Sequence, residues 1–374
     1  MIVLLFVLCV PSHAQTSFDQ IRIFGYFQNS FSQQENENPQ STINSFSTDQ
    51  FNLFFQTRLS NNWTSLINFE MINSFSGSNN WGAFNLEEAW VRYRRSAKFN
   101  LKLGLQIPIF NHLNEIKNKT PLLPYITRPF VYDASLSEII AIDDFVPHQA
   151  FAQAYGFVPV GEFKLDYAVH VGNSPNISTN IEFLATDGST LIFDKTTHKN
   201  LSGIDTTSTL SYGGRIGLRI GELKTGISTT YDRTNKYKYY FNIPDNDFGL
   251  LPRYRVGGDF LYDWKNFEVH YEFITVLLDD DNALFDFNKR FSYFTAGYHC
   301  TEKFYSYLSY WETEENFKPA GEIEYNARTL GTAYNYRERI TFKMQVALVK
   351  FKSDGTIFQS PDFRISSLAA SVHF

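Results

Sequence analysis

Segments of about 10–14 residues in which apolar and polar side chains alternate recur along almost the whole chain, and this pattern sharply limits its possible folds. A period of two puts successive side chains on opposite faces of a strand. Phe163, Leu165, Tyr167, Val169 and Val171 fall on one face; Lys164, Asp166, Ala168, His170 and Gly172 fall on the other. Phe267, Val269, Tyr271 and Phe273 oppose Glu268, His270 and Glu272, and Ile340, Phe342, Met344, Val346 and Leu348 oppose Thr341, Lys343, Gln345 and Ala347. About sixteen candidate strands follow, near 20–32, 48–59, 63–74, 84–95, 99–107, 148–157, 162–172, 208–219, 222–233, 252–264, 266–278, 290–301, 303–314, 324–336, 338–350 and 363–374. Strands 148–157 and 324–336 fit less well, having few bulky outward groups or tyrosines on both faces.

The connections alternate between tight and long. Tight ones fall at Asn61-Asn62, Ser96-Ala97-Lys98, Val160-Gly161, Gly221-Glu222, Lys265-Asn266, Thr301-Glu302 and Arg337-Glu338-Arg339. Longer segments lie between them, near 33–47, 75–83, 108–147, 173–207, 234–251, 279–289, 314–323 and 351–362. Short turns at one end and long loops at the other, with an even strand number, are the pattern of a transmembrane antiparallel up-and-down β-barrel. A soluble sandwich has no reason to keep that alternation over so many hairpins. The fold class expected is therefore all-β, a barrel of about 16 strands, with its apolar face in lipid and its polar face around a water-filled lumen.

Composition agrees. Aromatic residues make up 17% of the chain, with 37 Phe and 22 Tyr against 3 Met, which suits strands and bilayer-interface belts. A net charge of −6 argues against a nucleic-acid partner. Mean hydropathy of −0.27 is compatible with a barrel, which shows only alternate residues to lipid. Apolar residues 1–10 are too few to span a bilayer, and Ser12-His13-Ala14 follows with small residues at both cleavage-site positions. Residues 1–14 are expected to be a signal peptide lacking the usual basic start, and 15–374 the barrel. Export would leave Cys300 as the one remaining cysteine.

Basic residues recur on the inward faces: Arg22, Arg58, Arg92, Arg94, Lys102, Lys164, Arg215, Arg219, Arg253, Arg255 and Lys343. Inward acids are fewer: Glu70, Glu88, Asp166, Asp259, Asp263, Glu268 and Glu272. Basic rings favour anions. In Gly213-Gly214-Arg215-Ile216-Gly217-Leu218-Arg219 the glycines would leave a clear lane beside the guanidiniums. Alternatively these charges pair across strands, Arg253 and Arg255 with Glu268 and Glu272. The longest connection, 108–147, carries Glu115, Lys117, Lys119 and Arg128 followed by Asp133, Glu138, Asp143 and Asp144. A loop of that length is usually functional or disordered. It is a candidate constriction if it folds inward, or an external flap.

The run Leu86-Glu87-Glu88-Ala89-Trp90-Val91-Arg92-Tyr93-Arg94, a tight turn, and Leu101-Lys102-Leu103-Gly104-Leu105-Gln106-Ile107-Pro108 resembles a hairpin of the phosphate-selective porin O/P family. The resemblance implies a sixteen-stranded porin, usually trimeric, that passes anions through an arginine-rich lane in which Arg92, Arg94 and Lys102 line the lumen. It also implies a third external loop that narrows the barrel. The acidic half of 108–147 departs from a phosphate channel, and a less selective porin of Bacteroidota type fits the Asn and Phe content better. A terminal strand ending on Phe374 resembles the signal by which the barrel-assembly machinery recognises outer-membrane proteins.

No Gly-x-Ser-x-Gly, phosphate-binding loop or metal-spaced His/Cys set occurs, so no cofactor and no metal are expected. His170, His270 and His299 stand alone in their strands and are expected to be lumen polar groups. Asp279-Asp280-Asp281-Asn282 is expected to be a solvated loop tip. The function expected is passive diffusion of small hydrophilic solutes, with anion preference, across the outer membrane. The alternative is a barrel enzyme of phospholipase or protease type, which would need a Ser or Asp bonded to a barrel histidine at the outer rim.

Overall fold

Alternating side chains on sixteen strands build one closed wall. The computed structural model describes residues 21–37, 40–72, 83–132, 142–147, 149–174, 177–187, 190–199, 209–234, 251–279, 287–317, 321–353 and 362–374. The signal-peptide region 1–14, Asp133, Glu138 and Asp280–Asn282 lie outside them, and of Asp143 only the backbone is described. The strands are β1 (Ile21–Asn36), β2 (Ser41–Arg58), β3 (Trp63–Ile72), β4 (Ala83–Ser96), β5 (Phe99–Gln106), β6 (Ala150–Val160), β7 (Phe163–Asn173), β8 (Ile177–Asp187), β9 (Thr190–Lys199), β10 (Leu210–Ile220), β11 (Leu223–Thr234), β12 (Leu251–Trp264), β13 (Phe267–Leu278), β14 (Phe287–His299), β15 (Phe304–Phe317), β16 (Gly321–Arg337), β17 (Ile340–Ser353) and β18 (Phe363–His373). All but β8 and β9 pair antiparallel with their neighbours, β7 with β10, and β1 with β18 to close a 16-strand barrel. Closure leaves the barrel itself without an unpaired strand edge.

The pleat sorts the two faces. Outward, Ile216 (65% exposed), Ile227, Leu308, Leu330, Met344 and Leu368 stand free of protein cover. Inward, Gln28, Gln50, Asn52, Asn68, Glu70, Gln153 and Arg255 are buried. This inversion of a soluble protein suits a wall with hydrocarbon outside and a polar interior. Aromatic side chains gather beside the tight turns: Trp63 packs 5.0 Å from Tyr93, Phe267 4.7 Å from Tyr298, and Tyr336 6.1 Å from Phe342. Near the other end Tyr231 meets Tyr254 at 4.9 Å and Phe31 meets Phe46 at 4.9 Å. Aromatic pairs at both ends suit the two interface belts of a membrane-spanning wall.

The tight turns fall where the sequence places them. Gly161 (φ 61°) and Gly221 (φ 52°) supply the left-handed backbone of two of them, and Lys265 adopts φ 55° in a third. The first and last barrel strands meet at this rim, where Gly25 and Phe374 exchange both main-chain hydrogen bonds.

Three features differ from the sequence expectation. The connections expected at 33–47 and 314–323 are largely strand, because β1 pairs with β2 as far as Asn36–Ser41 and β15 with β16 as far as Phe317–Gly321. Apolar alternation marks only the part of a strand facing lipid, while main-chain pairing continues into water. The connection at 173–207 contains β8 and β9, which pair only with each other. Finally, Ile274, Val276, Leu278, Phe291, Tyr293, Trp311, Tyr325 and Val349 form an apolar cluster on the inward face. Tyr325 belongs to that cluster while Tyr334 faces out, which accounts for the tyrosines on both faces of β16.

Candidate functional site

The apolar inward cluster is the seat of the β5–β6 connection, which folds into the barrel. Phe110, Leu113, Val131, Tyr132, Phe145 and Val146 of this connection pack against it. The connection holds α1 (His112–Ile116), 3-10 turns at Lys117–Leu122 and Phe130–Tyr132, and α2 (Ile142–Phe145). In sequence the signal for such a seat is the run Phe273-Ile274-Thr275-Val276-Leu277-Leu278, apolar on both faces, as in a strand covered on both sides.

Polar contacts hold the inserted segment around the lumen. Asn111 adopts φ 45°; its main-chain N–H donates to Ser228 Oγ (3.1 Å) and its Nδ2 to the Phe273 carbonyl (3.1 Å). A Cβ on Gly257 would lie 2.6 Å from Asn111 Oδ1, so the glycine leaves the room this side chain occupies. The Leu113 N–H donates to Glu272 Oε1 (2.7 Å) and the Tyr132 hydroxyl to Glu272 Oε2 (2.7 Å). Across the lumen, Tyr26 and Gln50 donate to the Asn118 carbonyl, and the main chain of Ile126 donates to Gln345 (2.9 Å). Asn118 donates to Glu87 (2.9 Å). Glu87 is the extra residue of a bulge, since Asn68 pairs with Glu88 and Phe69 with Leu86.

Two cationic anchors dominate. Lys343 Nζ donates to Gln28 Oε1 (2.7 Å) and lies within 2.9–3.2 Å of the carbonyls of Thr120, Pro121 and Tyr125. At the other anchor, Arg253 Nη1 (2.6 Å) and Lys289 Nζ (2.9 Å) donate to the Asp144 carboxylate, and Arg255 Nε donates to its carbonyl (2.6 Å). Asp232 accepts from Arg253 (2.7 Å) and Arg255 (2.9 Å), and Glu315 from Lys289 (2.7 Å). The partners of Arg253 and Arg255 are thus Asp232 and Asp144, not Glu268 and Glu272. Register decides this, since Arg253 lies opposite Asp232 on β11 but opposite Leu278 on β13.

The expected basic residues therefore separate. Arg253, Arg255 and Lys343 face inward beneath the inserted segment and are 3% exposed or less. Arg22, Arg58 and Lys164 are exposed at the tight-turn end, where Arg58 bonds to the Ser60 carbonyl and Asn61 of its own turn. Arg92, Arg94, Arg215 and Arg219 line a cavity of about 240 Å³ together with Lys224, Glu115 and Asp166, and Asp166 accepts from Arg219 at 2.5 Å. Lys102 sits beside it, 4.6 Å above the Trp90 ring. Lys224 was legible from alternation, sharing the inward face of Gly226, Ser228 and Thr230.

The glycines near Arg215 do not leave an open lane. A Cβ on Gly217 or Gly226 would collide with its guanidinium. Arg215 lies flat over them and reaches the Asp259 carboxylate at 2.5 and 2.7 Å. Within the segment, Glu115 and Lys119 are exposed, whereas Lys117 and Arg128 are buried and Arg128 donates to the Lys117 carbonyl. A second space of about 950 Å³ opens at the tight-turn mouth beside Pro121, Lys303, Arg337 and His373.

The histidines are less scattered than the sequence implies. His270 Nε2 lies 2.7 Å from Glu268 Oε1, and Asp263 joins them in a compact group of donor atoms. That group stands at the tight-turn end, opposite to where a barrel enzyme would be expected to carry its catalytic residues. His170 is buried and its ring nitrogens make no hydrogen bond.

No family model matches the sequence, and no curated protein does. Solved structures are similar in fold. The outer membrane channel DcaP of Acinetobacter baumannii is 11% identical with a TM-score of 0.61, covering 95% of this chain and 97% of that one. The anion-selective porin from Comamonas acidovorans is 12% identical with a TM-score of 0.59, covering 95% and 99%. OmpT, an outer membrane protein of Vibrio cholerae in its trimer form, is 8% identical with a TM-score of 0.56, covering 95% and 99%. The chain, a closed barrel of sixteen strands, shares its fold with these outer-membrane proteins.

Proposed function

We propose that this protein is an outer-membrane porin, a channel for passive diffusion of small hydrophilic solutes that prefers anions. The observation that carries the anion preference is the cavity whose lining includes Arg92, Arg94, Arg215, Arg219 and Lys224 against Glu115 and Asp166. A cationic wall in a confined lumen lowers the energy of a permeating anion and raises that of a cation. The inserted segment narrows the path and drives solutes past this wall. Phosphate is one candidate solute, in line with the hairpin at 84–110. The tight-turn end faces the periplasm and residues 1–14 direct export; the Phe374 strand engages the assembly machinery. The exposed apolar outer face meets lipid or, in a homotrimer, a second copy.

The test is single-channel recording of the refolded protein in a planar bilayer under a potassium chloride gradient. Stable steps with a reversal potential of anion-selective sign are expected. The double variant R92E/R94E exchanges two positive for two negative charges and should move the reversal potential toward cations. A demonstrably folded barrel that never conducts would overturn the proposal. An unchanged reversal potential in the variant would remove these arginines from selectivity.

A further inference from the structure

We infer that the lumen wall at the tight-turn mouth carries a binding site for a first-row divalent transition metal, with Zn²⁺ as the representative ion, built from Asp263, Glu268, His270 and His299. Asp263 and Glu268 lie directly opposite each other on β12 and β13, and the lumen-facing His270 follows two residues along β13. One donor atom from each lies within 4.8 Å of the other two. From β14, His299 brings its Nε2 to 3.9 Å from Glu268 Oε2. Two adjacent strands thus bring two carboxylates and one imidazole together, with the His299 imidazole of a third strand beside Glu268, an arrangement that sequence spacing does not reveal.

The Glu268–His270 pair at 2.7 Å does not by itself account for the group. Opposed carboxylates on neighbouring strands repel each other unless a cation lies between them. The His270 Nδ1 is buried and makes no hydrogen bond. The Tyr305 hydroxyl is also buried and unbonded, in a residue only 6% exposed. It lies over Gly297, the residue in register opposite Glu268, and its ring is 4.7 Å from that of His299. Unsatisfied polar atoms therefore border the carboxylates from two sides.

The donor set selects the ion. Mixed imidazole nitrogen and carboxylate oxygen suit zinc, copper or nickel, whereas calcium and magnesium take oxygen ligands. A tetrahedral zinc with bonds of about 2.0–2.2 Å holds its ligand atoms roughly 3.4 Å apart. The His112 ring of the inserted segment stands edge-on to His270 at 5.8 Å, so a bound ion sits beside the constriction.

The experiment is calorimetric titration of the full-length refolded protein in detergent with Zn²⁺, and separately with Mg²⁺. The wild type is expected to bind one Zn²⁺ saturably with no matching Mg²⁺ signal. E268Q and H270N should each weaken Zn²⁺ at least tenfold, whereas H373N, at another part of the rim, should not. Strand content by circular dichroism establishes that each variant is folded. X-ray absorption at the zinc edge of the wild type reports the ligands independently and should show imidazole with oxygen donors. Absence of saturable binding, equal affinity across all variants, equal loss in H373N, or a zinc spectrum without imidazole each overturns the site.

Discussion

Replacing Asp144 by asparagine tests whether the inserted segment is held by charge. The anchor contains three cations, Arg253, Arg255 and Lys289, and three carboxylates, Asp144, Asp232 and Glu315, so its formal charge is zero. The Asp144 and Arg253 side chains are 1% exposed or less and Lys289 3%. The amide keeps the shape but leaves one uncompensated buried positive charge, for which the cost on breaking a buried pair is about 3–5 kcal/mol. The barrel wall is held by its own ladder, so the cost falls on docking of the segment between Ile142 and Pro147. At about 1.4 kcal/mol per tenfold, docking weakens by roughly two to three and a half orders of magnitude. Single-channel recording should then show larger and noisier steps, and limited proteolysis should cut near α2 at least tenfold faster. Adding K289M removes the excess charge and should restore part of the docking in a double-mutant cycle. If D144N leaves conductance noise and cleavage rate within twofold of wild type, the ionic anchor is not what holds the segment.

Three further outcomes are expected. Lys343→Met strips a donor from three segment carbonyls and Gln28; about 2–4 kcal/mol of docking should be lost, read as faster hydrogen exchange at residues 120–126. Gly257→Ala puts a Cβ 2.6 Å from Asn111 Oδ1 and should cost about 1–3 kcal/mol, read as raised conductance without loss of strand content. Ile216→Arg places a charge on a side chain that is 65% exposed on the lipid face; a loss of roughly 2–4 kcal/mol at mid-bilayer depth is expected in urea titrations in vesicles. A neutral result there would mean that this face does not meet hydrocarbon.

The wall was legible in the sequence because each strand carries its own evidence. In Phe163–Gly172 the faces separate residue by residue, and the turn at Gly221-Glu222 announces itself by its glycine. What failed was long-range. Nothing local to Arg253 says that Asp232 rather than Glu272 lies beside it, since register depends on turn lengths and bulges elsewhere in the sheet. The Glu87 bulge brings a second acid to the segment where strict alternation allows only Glu88. For the same reason the cationic cavity was visible only as a surplus of inward basic residues. The structure divides that surplus among residues facing the cavity, residues engaged by the inserted segment and residues exposed at the tight-turn end.

The inserted segment also bears on how the chain reaches its native state. Its hydrogen bonds extend to Gln28 on β1 and to Lys343 and Gln345 on β17, the strands flanking β18. No partly assembled sheet that lacks the final strands can offer both sets of partners. Synthesis delivers residues 108–147 long before β17 and β18, yet their resting place exists only once β1 and β18 have met. Contacts to β11–β14 can form earlier, but completion of docking waits on the strands around the β1–β18 seam, and non-local contacts of this kind fold slowly. Seating of the inserted segment and sealing of the wall are thereby coupled, since both depend on the strands at the β1–β18 seam.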